Sequence, residues 1–166
     1  MLGNDKYLND VEVDMLEVIL DKYYVGNERD VLLIRVAMET GARASELLNI
    51  RKKDMSDGCV KINGLKSSRN RTFPLSSKLY KELSLYAEGV QDKLFPISYP
   101  RLQQIWYMYR PVKKKFHSLR HTMALRAYLK TRDIKLVKQL LGHWSITSTE
   151  VYTDVEHDVL ELRRRM

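Results

Sequence analysis

The sequence predicts a mostly α-helical fold carrying one small antiparallel β-hairpin or sheet, an α+β arrangement. Three observations lead there. Apolar residues recur at the three-to-four spacing of a helix in segment after segment. Only two short stretches, Cys59 to Ile62 and Arg71 to Leu75, read as extended, and they flank a loop over 63–70. Seven glycines and four prolines in 166 residues fit a compact globule rather than a disordered or fibrous chain.

Each element has its own signal. Asn9 with Glu12 three residues later marks a helix start, and Val11, Met15, Val18 and Ile19 carry the period through about 10–24, to the break at Val25-Gly26-Asn27. A second helix runs from Asn27, with Asp30 in its first turn, through Leu32, Leu33, Val36 and Ala37, and stops at Gly41. A short third covers Ala44 to Ile50. After a turn at Asp57-Gly58 comes the hairpin, with basic residues at its tip. Ser76 or Ser77 caps a helix through Tyr86, and helical periods follow at about 100–109, 117–130, 133–141 and 155–164. No internal repeat or low-complexity tract interrupts this order, and the methionines and tyrosines read as core packing.

Composition excludes several classes. With 44% hydrophobic and 30% charged residues the chain is neither disordered nor fibrous, and its length suits one domain. No apolar run approaches the roughly 18–20 residues of a membrane span, and the acidic start does not read as a signal peptide, so the expected location is cytosolic. Cys59 is the single cysteine, which excludes an internal disulfide and a multi-cysteine zinc site; it is expected as a small buried hydrophobe.

The formal charge is +8, with an isoelectric point near 9.5. It is unevenly spread. Residues 1–30 hold three basic and eight acidic side chains, leaving 26 basic against 13 acidic in 31–166. Two segments concentrate it, Arg51 to Lys78 and Lys113 to Lys135, the second with eight Lys or Arg against Asp133 alone. Such a face suits a polyanion, although a solvated lysine-rich surface has the same composition.

Several residues carry chemistry. Arg43 follows the Gly41-Ala42 break and opens a helix, where anions are favoured. His117 and Arg120, three apart on one helix face, place a proton-transfer group beside a two-pronged phosphate grip, whereas His121 is expected on a different face with a supporting role. Gly142-His143 ends a helix, and Tyr152 follows nine residues after His143. Taken singly, each has an ordinary reading: a structural histidine, a surface ion pair, a tyrosine covering core.

Together these residues resemble the tyrosine recombinase (phage integrase) family. The strings Thr40-Gly41-Ala42-Arg43-Ala44-Ser45-Glu46-Leu47, His117-Ser118-Leu119-Arg120-His121, Leu141-Gly142-His143 and Thr149-Glu150-Val151-Tyr152-Thr153 stand in the family's order and spacing. The match runs from about residue 8 to 160. The stretch from Lys66 to Leu75 is similar to the family's hairpin, in which a lysine eight residues before the proline is catalytic; that lysine is Lys66. Arg69 or Arg71 as the phosphate contact, with Lys66 a solvated turn residue, is the alternative reading of the loop.

The resemblance implies strand transfer on double-stranded DNA, by copies assembled as a tetramer, as in a mobile element, phage or chromosome-resolution system. Tyr152 would attack the scissile phosphorus to give a 3′-phosphotyrosyl bond and a free 5′-hydroxyl, and a second 5′-hydroxyl would reverse the step. Arg43 and Arg120 would supply fixed positive charge to the non-bridging oxygens, so that no metal or nucleotide cofactor is expected. His117 would accept a proton, His143 would donate a hydrogen bond to the phosphate, and Lys66 would protonate the leaving oxygen.

Relatives of this kind carry an N-terminal helical domain of about 100 residues, an ordinary domain size. The expectation here is a single catalytic domain over 1–166 without it. Trp144 stands where a small residue is common, and Val159, Leu160 and Leu162 give the tail a modest apolar stripe, which in the family often docks on a neighbouring copy. Two other functions stay open at this stage: a type IB topoisomerase-like nicking and closing enzyme, and a non-catalytic DNA-binding regulator on the same fold.

Overall fold

The computed structural model describes residues 2–65 and 68–142. Seven α-helices and three strands occur among these residues: α1 (Asp10–Tyr23), α2 (Glu28–Thr40), α3 (Ala44–Leu48), β1 (Met55–Ser56), β2 (Cys59–Ile62), β3 (Arg71–Pro74), α4 (Ser77–Ala87), α5 (Tyr99–Tyr109), α6 (Ser118–Thr131) and α7 (Ile134–Leu141). The mostly helical α+β class holds. The helix expected at 155–164 lies outside the described residues.

Helix α2 is central. Val31, Leu32, Leu33, Ile34, Val36 and Ala37 are all buried, so it is apolar on every side but one and packs against α3, α4 and α6. Its C-terminus is Gly41, at φ +64, a left-handed cap whose amide donates back to Ala37 O. That stop puts the following residues, Ala42 and Arg43, at the edge of the core.

Helix α1 begins as expected. Asn9 Oδ1 accepts from the Glu12 amide and Glu12 accepts from the Asn9 amide, both at 2.9 Å. Its packed face, however, is Val13, Leu16 and Leu20, while Val11, Met15 and Val18 are exposed. Two apolar stripes share this helix, and periodicity alone does not say which faces the core. The helix packs on α5, where the Tyr23 and Tyr109 rings meet edge to face at 5.9 Å.

The extended segments form a three-stranded antiparallel sheet in the order β1-β2-β3, with Met55 opposite Val60, Cys59 opposite Pro74 and Ile62 opposite Arg71. Strand β1 was not expected, since two residues are too few to show alternation. Helix α3 ends at Leu48, two residues earlier than its pattern, and Cys59 is half-buried rather than buried, because β2 turns Val60 and Ile62 inward.

Two further connections fix the start of α6. Lys114 donates to Glu12 Oε2 at 2.6 Å and to Tyr7 O at 2.8 Å, and the Trp106 indole donates to Lys114 O at 2.7 Å, so the loop before His117 is anchored on α1 and α5. A smaller apolar cluster, Leu2, Met123, Ala124, Leu125, Val137 and Leu141, joins α6 to α7. Among the described residues no helix is long and apolar enough to cross a membrane.

Candidate active site

Arg120 lies at the meeting point of two helix ends. Its side chain is buried; Nη1 donates to Gly41 O at 2.7 Å and Nη2 to Leu141 O at 2.9 Å. These carbonyls belong to the C-terminal ends of α2 and α7, where no further helical amide is available to them. One guanidinium therefore ties together the segment that leads into Arg43 and the segment that leads into Gly142-His143.

Arg43 precedes the first residue of α3, in extended conformation at φ −66° and ψ 154°, and is half-buried. Its amide donates to Glu46 Oε2 at 2.9 Å, and its Nη1 donates to Ser68 Oγ across the chain. Ser68 is in the β2–β3 loop, two residues after Lys66. The next residue, Arg69, donates its amide to Gly142 O at 2.9 Å. The loop that carries Lys66 is thus fastened on one side to Arg43 and on the other to the residue before His143.

Glu46 organises this junction. It is wholly buried and accepts from Arg71 Nη1 at 3.1 Å and Nη2 at 2.8 Å, as well as from the Arg43 amide. Burial alone would raise its pKa, but the Arg71 and Arg43 hydrogen bonds, with the charges of Arg71 and Arg120, outweigh that and hold it below the usual carboxylate value. The Arg71 side chain is only 7% exposed. Its two terminal nitrogens are committed to Glu46; of the two arginines weighed in the hairpin, Arg69 is the exposed one.

His117 sits at the N-terminal boundary of α6, open to solvent on one side. Desolvation of its ring, followed by the charges of Arg120 and Arg43, lowers its pKa below the ordinary histidine value. His121 is not on a different face. One turn further along α6, its ring packs against that of His117. Burial first, then His117, Arg120 and Lys6, push its pKa down to about 4.

Of the six residues singled out from sequence, Arg43, His117 and Arg120 are therefore brought together, while Lys66, His143 and Tyr152 lie outside the described residues. Glu46 and Ser68 were not singled out. Glu46 had a signal, since it stands three residues after a helix-opening residue, the capping-box spacing; Ser68 had none. The cluster is rich in cations, and among the described residues no group of His, Cys, Asp and Glu is placed to hold a metal ion. Beside it a groove of about 420 Å³ runs between the β2–β3 loop and α7, with Arg69, Asn70, Arg71, Lys135, Lys138 and Gln139 in its lining. A cavity of about 1010 Å³ opens at the other end of α2, around Asn27 and Arg101.

Comparison with known proteins agrees with this geometry. The sequence profile of the phage integrase family matches residues 7–158. A tyrosine recombinase of Pseudothermotoga lettingae is 34% identical over 149 residues, covering 81% of this chain and 52% of the relative. The XerH site-specific recombinase bound to a palindromic difH substrate, in a post-cleavage complex, superposes with a TM-score of 0.76 at 26% identity, over 96% of this chain and 52% of that one. The catalytic domain of bacteriophage HP1 integrase gives a TM-score of 0.69 at 25% identity, over 89% of this chain and 86% of that one. The chain spans about half the length of the curated relatives it matches. With the motifs in order and the two arginines joined at one helix junction, the chain belongs to the phage integrase family, with the fold of a tyrosine recombinase catalytic domain.

Proposed function

We propose that this chain cuts and rejoins double-stranded DNA at a specific site as a tyrosine recombinase. The observation that carries this reading is the convergence of Arg43 and Arg120, with His117 beside them, at a junction that also anchors both neighbours of the remaining motif residues: Ser68 next to the Lys66 segment and Gly142 next to His143.

The chemistry follows from the groups present. Tyr152 Oη attacks the scissile phosphorus and loses its proton to His117, whose lowered pKa leaves it neutral near pH 7 and able to accept one. The P–O bond to the 5′-oxygen breaks as the phosphotyrosyl bond forms, and Lys66 Nζ gives that oxygen its proton. Arg43 and Arg120 neutralise charge on the non-bridging oxygens, which is greatest in the pentavalent transition state, and His143 donates a hydrogen bond to the same phosphate. A 5′-hydroxyl from a second strand reverses the step, so the energy of the original bond is kept in the protein–DNA ester.

The neighbouring groove with Arg69, Lys135 and Lys138 gives the flanking DNA backbone a cationic wall. The solved XerH relative is bound to difH, its recombination substrate, which supports DNA as the partner here. Strand exchange needs four active sites on two duplexes, hence a tetramer of copies on DNA, acting in the cytoplasm where that DNA lies.

A denaturing gel tests the reading. Mixing the protein with nicked, labelled duplex from the attachment region of its own element traps the ester, because the short 5′-hydroxyl strand diffuses away. A covalent adduct is expected with the native chain and none with Tyr152→Phe, while DNA binding stays. An adduct of full yield from Tyr152→Phe would refute the assignment.

A further inference from the structure

We propose that Arg71 is a positioning residue for the reaction, acting through Glu46 to hold Arg43 at the phosphate. This rests on the reading of Arg43 as a neutraliser of phosphate charge. Arg71 sits on β3, the strand that leaves the Lys66 loop, and its two terminal nitrogens fork onto Glu46 at 2.8 and 3.1 Å. The fork fixes both the place and the plane of the carboxylate. The oxygen that takes the shorter of those bonds, Oε2, also accepts the Arg43 amide at 2.9 Å. Because α3 is only five residues long, that capping contact is a large part of what orients its first turn. Arg71 also lies under Gly142: a Cβ added there would stand 3.0 Å from Nη1. One buried side chain thus touches the hairpin, the start of α3 and the end of α7.

A role in stability alone explains this poorly. Buried ion pairs add little net stability compared with apolar packing of the same volume. Here Arg71 Nε is buried without a hydrogen-bond partner among the described residues, which costs stability. What the pair supplies that apolar residues could not is a fixed acceptor for the Arg43 amide.

The test uses the full chain and two nicked duplexes, one with the natural scissile phosphate and one in which a methyl group replaces a non-bridging oxygen. The methylphosphonate lacks the charge that Arg43 is read as neutralising. For Arg71→Met, cleavage of the phosphodiester is expected to fall up to about 100-fold, the scale of a small misplacement of a reacting group. DNA affinity and its salt dependence should stay near native, since the guanidinium is committed to Glu46. On the methylphosphonate the deficit should shrink at least 10-fold (an order-of-magnitude threshold), as it should for Arg43→Ala. Arg71→Lys keeps a charge against Glu46 without the fork and should show a smaller loss with the same rescue, which covers the case in which Arg71→Met does not fold. A deficit of equal size on both substrates for the Arg71 variants, with Arg43→Ala rescued, overturns the proposal and leaves Arg71 a purely structural residue. If Arg43→Ala gains nothing from the methyl group, the reading of Arg43 fails and the proposal falls with it.

Discussion

The imidazole rings of His117 and His121 meet edge to face on successive turns of α6, with centroids 4.8 Å apart and planes inclined at 87°. Both pKa values lie below the ordinary histidine value, that of His121 at about 4. The unfolded chain therefore binds more protons than the folded one from about pH 6.5 downward, and stability is lost as the pH falls towards 4. For one proton the slope reaches at most about 1.4 kcal/mol per pH unit. Urea unfolding should show a smaller loss between about pH 7 and pH 5 for His121→Phe, which keeps the ring but not the titration. An equal loss in both proteins would mean that folding does not depress the pKa of His121.

Arg120 spans two carbonyls with separate nitrogens, a task an ammonium group cannot copy. Arg120→Lys should keep much of the fold yet cleave far more slowly, and Arg120→Ala should lose cleavage by about 100- to 1,000-fold. Arg120→Ala should also unfold earlier, because each abandoned buried carbonyl costs about 1–3 kcal/mol. Single-turnover cleavage and thermal unfolding on the same preparations check both halves. Native cleavage by Arg120→Lys would contradict the two-pronged role.

Gly41 and Gly142 share a left-handed backbone but not their surroundings. A Cβ on Gly41 meets the end of the Met123 side chain, which can move, whereas one on Gly142 stands 2.9 Å from Arg69 O, which cannot move without the hairpin. Alanine at either position bears the left-handed cost of about 1–2 kcal/mol. Gly142→Ala should be the more destabilising of the two and should also slow cleavage by shifting the Arg69 segment. Equal unfolding midpoints for the two variants would argue against this ordering.

Binding to DNA should weaken steeply with salt, with a log–log slope near −0.9 for each phosphate neutralised on a duplex. Lys135→Ala and Lys138→Ala, on the groove beside the site, should each make that slope shallower by about one contact. A salt titration by fluorescence anisotropy reads this directly. Slopes unchanged in both variants would remove the groove from the DNA face.

The helices were legible because their punctuation is local. Asn9 with Glu12, Ser76, and the glycines at 41 and 142 act within a few residues of where they stand. The choice between the two apolar stripes of α1 was not, because it depends on α5, 80 or so residues away, and no local rule reaches that far. The site divides the same way. Arg43, His117 and Arg120 stand in motifs, but the link between Glu46 and Arg71 joins positions 25 residues apart, and its geometry arises only when β3 folds beside α3. Arg71 in the sequence looks like any hairpin cation.

The two carbonyls held by Arg120 have an electrostatic consequence. Helix C-termini each carry roughly half a negative charge, and phosphates are ordinarily met by the opposite end. Here α2 and α7 direct two such ends at the place where α3 and α6 begin, so the bare backbone would present a phosphate with a field of mixed sign. One guanidinium is about equal and opposite to the two ends together. Arg120 therefore works as a shield as well as a phosphate contact: it offsets the termini that would repel an anion, and Arg43 and the start of α6 add their attraction to its own. Its loss would turn the junction from a weakened anion site into a repelling one.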